Sequence, residues 1–232
     1  MTQKATKLLA ILTALAVGVS LLGACTVVRI GEEEAEAGGQ FSTWTKTGTG
    51  FDAVEYVEAV WDEQIIPAYE ETAVDYETTI AALRADRAAA IDQFSLVRDA
   101  GEPAAVFKVR GDAVVVEFDD TSRNGVFRID LEPTDGEADA VLQVGPVIRG
   151  TAIRDSVDFI RFTDVGNQLQ FAALANELNA RMAKDSVEPL DLENIAGVRI
   201  SFLGTFKLEE AKSIDDVVIT PVRIDLVAQD QD

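Results

Sequence analysis

Cys25 is the only cysteine in the chain, and it closes the tetrapeptide Leu22-Gly23-Ala24-Cys25. A branched apolar residue and two small ones before a thiol form a lipobox, so the chemistry expected at Cys25 is acylation followed by cleavage in front of it. An unpaired thiol in an oxidising compartment would otherwise lack a purpose. A second cluster lies between Gly145 and Phe162, where Gly145, Pro146 and Gly150 surround a strand end and Arg149, Arg154, Asp155 and Arg161 are close by, followed by Asn167-Gln168. Arginine presents a planar fork of donors suited to carboxylates and hydroxyls. Arg149, Arg154, Asp155 and Asn167 are therefore the candidates for ligand or partner binding. The same residues also fit a structural role, with the glycines at a tight barrel corner, Arg154 and Asp155 pairing locally, and Asn167 in a first helical turn.

Other chemistry is narrowed by composition. The chain has no histidine, which removes the commonest general base, the commonest transition-metal ligand and every Ser-His or Cys-His nucleophile. Asp120-Thr-Ser-Arg-Asn-Gly125 opens like a calcium loop, but its twelfth position is Leu131 where a bidentate glutamate belongs. A hairpin turn at Asn124-Gly125 is the simpler reading. Asp215-Asp216 and Glu209-Glu210 read as solvated faces. Trp44, Trp61, Tyr56 and Tyr69 could stack on sugar rings, although the last three fall in a helical pattern that suits core packing. No cofactor and no metal is implied.

The elements around Cys25 fit export. Lys4 and Lys7 precede an apolar run from Leu8 to Leu22, a secretory leader by its length and flanks. Residues 1–24 form the signal peptide. Residues 25–50 are the lipidated start and an acidic, Gly-flanked tether that self-repulsion extends. Acyl chains hold such a terminus at a membrane, each buried methylene adding about 0.8 kcal/mol. The expected place is the periplasmic side of the cell envelope, and Thr26 after the cysteine, rather than an aspartate-type retention signal, points to the outer membrane of a two-membrane cell. Cleavage removes two lysines and no acid, taking the formal charge from −21 to −23. Such a surface repels nucleic acid and anionic headgroups, so the membrane is a partner through the lipid alone.

The remainder divides into a helical region, 51–98, and a β domain, 99–232. Phe51, Val54, Val57, Trp61 and Ile65 recur at helical spacing, Pro67 interrupts, and Ala73 to Ala90 continues the pattern. From Ala104 the period becomes two: runs on either side of a turn at Arg110-Gly111-Asp112, a strand through Phe127, Ile129 and Leu131, and another from Asp139 to Arg149. A helix capped by Thr163 or Asp164 follows, with Phe171, Leu174, Leu178 and Met182 on one face, then strands around Ile200 and Ile224. Three strand regions, a helix and two strands is the order of an OB-like five-stranded antiparallel barrel in an α+β chain. An open α+β sheet of the same order is the competing arrangement.

The Leu22–Cys25 lipobox running into Thr-Val-Val-Arg-Ile-Gly31, the Trp61 and Pro67 helix, Gly145 to Phe162 with Asn167-Gln168, and Ile219-Thr-Pro-Val222 together resemble a family of predicted periplasmic lipoproteins of unknown function. The most specific stretch is Gly145 to Asp155. The resemblance implies an OB-type barrel with added helices and, because such proteins tend to be encoded beside sugar ABC transporters, a non-enzymatic accessory role near a sugar-binding protein or its permease. It supplies no catalytic residues. A carbohydrate-binding module and a histidine-independent carboxylate hydrolase built on Asp155 are the alternatives.

Overall fold

Three aspartates start the N-terminal helices by accepting backbone N–H groups that would otherwise lack partners, each such cap contributing about 1 kcal/mol. In the computed structural model, which describes residues 50–96 and 104–228, Asp52 accepts from Val54 and Glu55 and opens helix α1, Ala53–Val60. The leader, Cys25, the tether and Trp44 lie outside the described residues. Pro67 does not interrupt the chain as the sequence suggests. A π turn, Trp61–Ile65, runs directly into helix α2, Ile66–Thr72, so that Pro67 falls in the first turn of α2, where its missing N–H is not needed. Tyr56, Val57, Val60, Trp61, Ile65 and Tyr69 form the buried stripe of this continuous segment. After strand β1, Val74–Asp75, Asp75 caps helix α3, Tyr76–Ala85, and Asp86 caps helix α4, Arg87–Phe94, which leads into β2, Ser95–Leu96.

The sheet is organised on β3, Ala104–Asp119. No turn forms at Arg110–Asp112; the two expected runs are one strand. Gly111 faces inward, where an added Cβ would come within 3.1 Å of Leu131 and Phe202, so glycine here makes room for the barrel interior. One strand can thereby serve two neighbours. Its first part pairs with β6, Arg199–Glu209, from Ala104↔Glu209 to Val114↔Arg199, and its last part with β4, Val126–Leu131. A register shift between Val115 and Glu117 sharpens the bend.

The remaining strands are β5, Ala140–Gln143, and β7, Thr220–Leu226, giving the order β5-β4-β3-β6-β7, with β1 and β2 pairing β3 between Val106 and Arg110. Leu142 bridges Ile219 in parallel, with Gln143 N–H donating to the Ile219 carbonyl at 2.9 Å and Ile219 N–H to Val141 at 2.8 Å. That bridge joins the two ends of the order and separates a barrel from an open sheet. The expected strand Asp139–Arg149 stops at Gln143. Beyond it Gly145 is pressed against the Arg123–Gly125 turn and Pro146 has no N–H to give a ladder.

Between β5 and β6 come the short helix α5, Ala152–Asp155, and the long helix α6, Gln168–Met182. α6 is capped by Asn167, whose Oδ1 accepts from Gln170 N–H at 3.0 Å, rather than by Thr163 or Asp164, which belong to a 3-10 turn, Phe162–Asp164. A helix between the third and fourth barrel strands completes the OB order. Residues of helices and barrel, among them Trp61, Tyr69, Phe107, Phe206 and Leu178, enter one hydrophobic cluster.

Candidate functional site

Gln143, the last residue of β5, turns the chain with its side chain. Its Oε1 accepts Arg149 N–H at 2.9 Å, and its Nε2 donates to the Arg149 carbonyl at 3.1 Å and to Thr220 Oγ1 at 2.6 Å. An amide that copies strand pairing with a single residue, while tied to β7, fixes where the Gly145–Gly150 loop ends. Asn179 of α6 adds a bond from Nδ2 to the Gly150 carbonyl at 3.0 Å. Gly150 itself has φ +93°, which its lack of a Cβ permits.

From that point α5 delivers Asp155 into the interior. The Asp155 side chain is 5% exposed, and Lys207 of β6 approaches it to 2.7 Å, Thr151 Oγ1 to 2.5 Å, and Arg154 to 2.8 Å through Nε and 2.7 Å through Nη2. Burial alone would raise the Asp155 pKa. The ammonium, the hydroxyl and the guanidinium outweigh it and hold the carboxyl below the ordinary value. Arg154 is fixed in turn, its guanidinium 3.6 Å above the Phe171 ring and its Nη1 donating to the Phe171 carbonyl at 3.0 Å. Next to it Ser156 donates to the Ile153 carbonyl at 2.7 Å, leaving Tyr69 as donor to Ser156 Oγ at 2.5 Å. Burial pushes the Tyr69 phenol up.

The four residues singled out in the sequence thus separate. Arg154 and Asp155 meet in a buried ionic knot that stitches α5 to β6 and α6. Asn167 is a helix cap. Arg149 contributes its backbone to the Gln143 turn, while its exposed side chain makes no ion pair or hydrogen bond with the described residues. The residues missed were Lys207, Gln143 and Thr151, and Tyr69, read as an aromatic of the helical core, enters through its hydroxyl. Lys207 lies 52 positions beyond Asp155 in a strand where lysine marks only an outward-facing site, so nothing local reveals the pairing.

Chemically the knot is closed. A general acid needs a raised pKa, and that of Asp155 is lowered. Among the described residues no three histidines, cysteines, aspartates or glutamates gather as a metal site. Tyr56, Trp61 and Tyr69 are buried at 4% exposure or less, so none offers a face for stacking a sugar. Asp119 accepts from Thr121 N–H at 3.1 Å and from its hydroxyl at 2.6 Å, making the 120–125 segment a self-bonded hairpin.

No curated protein matches the chain. Among solved structures, the crystal structure of an OB-fold protein from Thermotoga maritima is similar, with a TM-score of 0.64 and 18% sequence identity, covering 77% of this chain and 99% of that one. At such identity the likeness concerns the fold, and it agrees with the barrel order above. The family model described as predicted periplasmic lipoprotein (DUF2291) matches residues 15–225, and the chain belongs to that family. It is accordingly a protein of the cell envelope.

Proposed function

We propose, from membership of the periplasmic lipoprotein family, that this protein is a non-catalytic accessory held at a membrane by acylated Cys25, serving a sugar ABC uptake system through its binding protein or permease. The observation that carries the non-catalytic part is the closed Asp155 knot. The sequence's best candidate acid spends its oxygens on Lys207, Thr151 and Arg154. One group on that segment open to outside contact is the exposed Arg149 guanidinium, next to a backbone that Gln143 holds in place. A fixed base under a free charged tip is suited to reading a carboxylate on another protein. The transporter as partner is supported by the family resemblance, and the outer-membrane side by Thr26.

The anchor has a direct test. In cells fed an alkyne-tagged fatty acid, the wild-type protein takes up label, whereas Cys25→Ser takes up none and keeps its leader, running heavier by residues 1–24. Label on the serine variant would remove Cys25 as the anchor. The partner is tested by cross-linking in intact cells through a C-terminal tag. A sugar-binding protein or permease should be recovered with wild type and lost with Arg149→Glu, a surface change that leaves the Gln143 backbone bonds in place. Equal recovery with both proteins would move the contact elsewhere, and recovery of neither candidate would sink the accessory role.

A further inference from the structure

In a chain with 41 acids and 20 bases, a guanidinium is expected to find a carboxylate nearby. Arg84, Arg128, Arg154, Arg181, Arg199 and Arg223 each pair with an aspartate or glutamate. Arg87 and Arg161 donate to backbone carbonyls, and Arg110 lines a hollow together with Glu70, Asp75 and Asp112. Arg123 and Arg149 differ. Both are exposed, and among the described residues neither guanidinium makes an ion pair or a hydrogen bond.

The fold sets these two side by side. Arg123 belongs to the β3–β4 turn, and its carbonyl accepts Val147 N–H at 3.0 Å, two residues before Arg149. Two residues of extended chain span about 7 Å, less than the combined reach of two arginine side chains. Both backbones are held. The Gly125 carbonyl accepts from Val144 and Gly145 N–H at 2.9 and 2.7 Å, while the Gln143 amide occupies the N–H and the carbonyl of Arg149. The stretch that links the two sites is apolar, with Pro146 exposed and Val147 and Ile148 half-buried.

We propose that Arg123 and Arg149 form one recognition surface, a pair of guanidiniums that clasps a protein segment bearing two closely spaced carboxylates while apolar parts of that segment rest on Pro146, Val147 and Ile148. The inference rests on the reading of Arg149 as a partner contact, and adds to it a second arginine and the acidic pair on the other side. Planar forks take carboxylates in bidentate fashion, and a backbone fixed beforehand lowers the cost of ordering them. An anionic bilayer fits less well, because an extended surface meets the charge of the whole chain, −21 before cleavage, and not of this corner alone. A free small anion would engage the guanidiniums and leave the apolar stretch uncovered.

The test places a photoreactive benzoylphenylalanine at Pro146, exposed beside the Arg123 carbonyl, in the full lipoprotein and irradiates living cells; mass spectrometry then sequences the cross-linked peptides. A peptide from another protein should be captured that carries two aspartates or glutamates within about three positions of one another, the spacing set by two extended residues. Its yield should fall about tenfold with Arg123→Gln and with Arg149→Gln alike, the scale of a lost charge-assisted bond. Arg110→Gln, which removes another exposed guanidinium, should leave the yield unchanged. A yield that falls with Arg149→Gln but not with Arg123→Gln would overturn the paired site and keep the single-arginine contact, whereas a yield indifferent to both would remove that contact as well. Adducts to lipid, to a peptide without an acidic pair or to Glu32–Glu36 of the chain's own tether, no adduct at all, or an equal loss with Arg110→Gln would each overturn the assignment. Circular dichroism of the purified variants separates a lost contact from a lost fold.

Discussion

Asp155→Asn should lower the stability of the folded protein by about 3 kcal/mol at neutral pH, read from urea denaturation followed by tryptophan fluorescence. Breaking a buried ion pair from one side costs about 3–5 kcal/mol, because the remaining charge keeps its desolvation penalty. Here two cations are left behind. Arg154 is 12% exposed and pinned on Phe171, so it cannot leave; Lys207, 30% exposed, can turn partly to water, which puts the effect at the lower end. In a chain of this length that corresponds to roughly 6–12 °C in melting temperature.

The same variant carries a pH signature. The Asp155 carboxyl titrates lower in the folded protein than in the unfolded chain, where aspartate lies at about 3.9. Its contribution is therefore complete above that value and is lost as the pH falls through the lower folded one. The stability gap between wild type and Asp155→Asn should be constant from neutral pH to about pH 5 and then close in acid. A gap that widened on acidification would mean a raised carboxyl, and would reopen the hydrolase reading.

The second large effect is expected at Gly145. Its place against the β3–β4 hairpin is so close that an alanine Cβ would sit 2.0 Å from Gly125 N and 2.7 Å from the Arg123 carbonyl. Those atoms cannot retreat cheaply, since Val144 and Gly145 N–H both donate to the Gly125 carbonyl, at 2.9 and 2.7 Å, and Val147 N–H donates to Arg123 at 3.0 Å. Overpacking costs about 1–3 kcal/mol when side chains can adjust and more when they cannot. Gly145→Ala should therefore cost about 3 kcal/mol or more, or leave the protein insoluble. Gly150→Ala is the control: its backbone has φ +93° but no atom lies within 4 Å of the added carbon, so only strain of about 1–2 kcal/mol applies. Equal losses in the two variants would show that the hairpin contact is not what makes Gly145 necessary.

These positions show why part of the molecule was legible in advance. Period-two runs around Phe127, Ile200 and Ile224, and the helical face through Leu174 and Leu178, report on one strand or helix at a time. Burial of one face is enough to produce them. The errors arose where a local signal had a nonlocal competitor. Arg110-Gly111-Asp112 looks like a turn, but Gly111 answers to Phe202 and Leu131 inside the barrel. Thr163 and Asp164 look like helix caps, but it is Asn167 Oδ1 that accepts the Gln170 N–H. Pro67 looks like a breaker, and the π turn before it carries the helix on.

By itself, the sequence determined the one cysteine and the absence of histidine, the acidic charge and the succession of strands around one long helix. Each depends on residue type, or on neighbours along the chain, which a linear reading contains. Only the tertiary structure decided that β5 meets Ile219 to close a barrel, that Arg154 and Asp155 are buried with Lys207 rather than offered to solvent, and that the Arg123 turn is bonded to the loop carrying Arg149. The physical reason is common to all three. The energy of a charge or a hydroxyl depends on which distant groups the fold brings within about 3–4 Å and on how much water it removes, and neither is written in spacing along the chain.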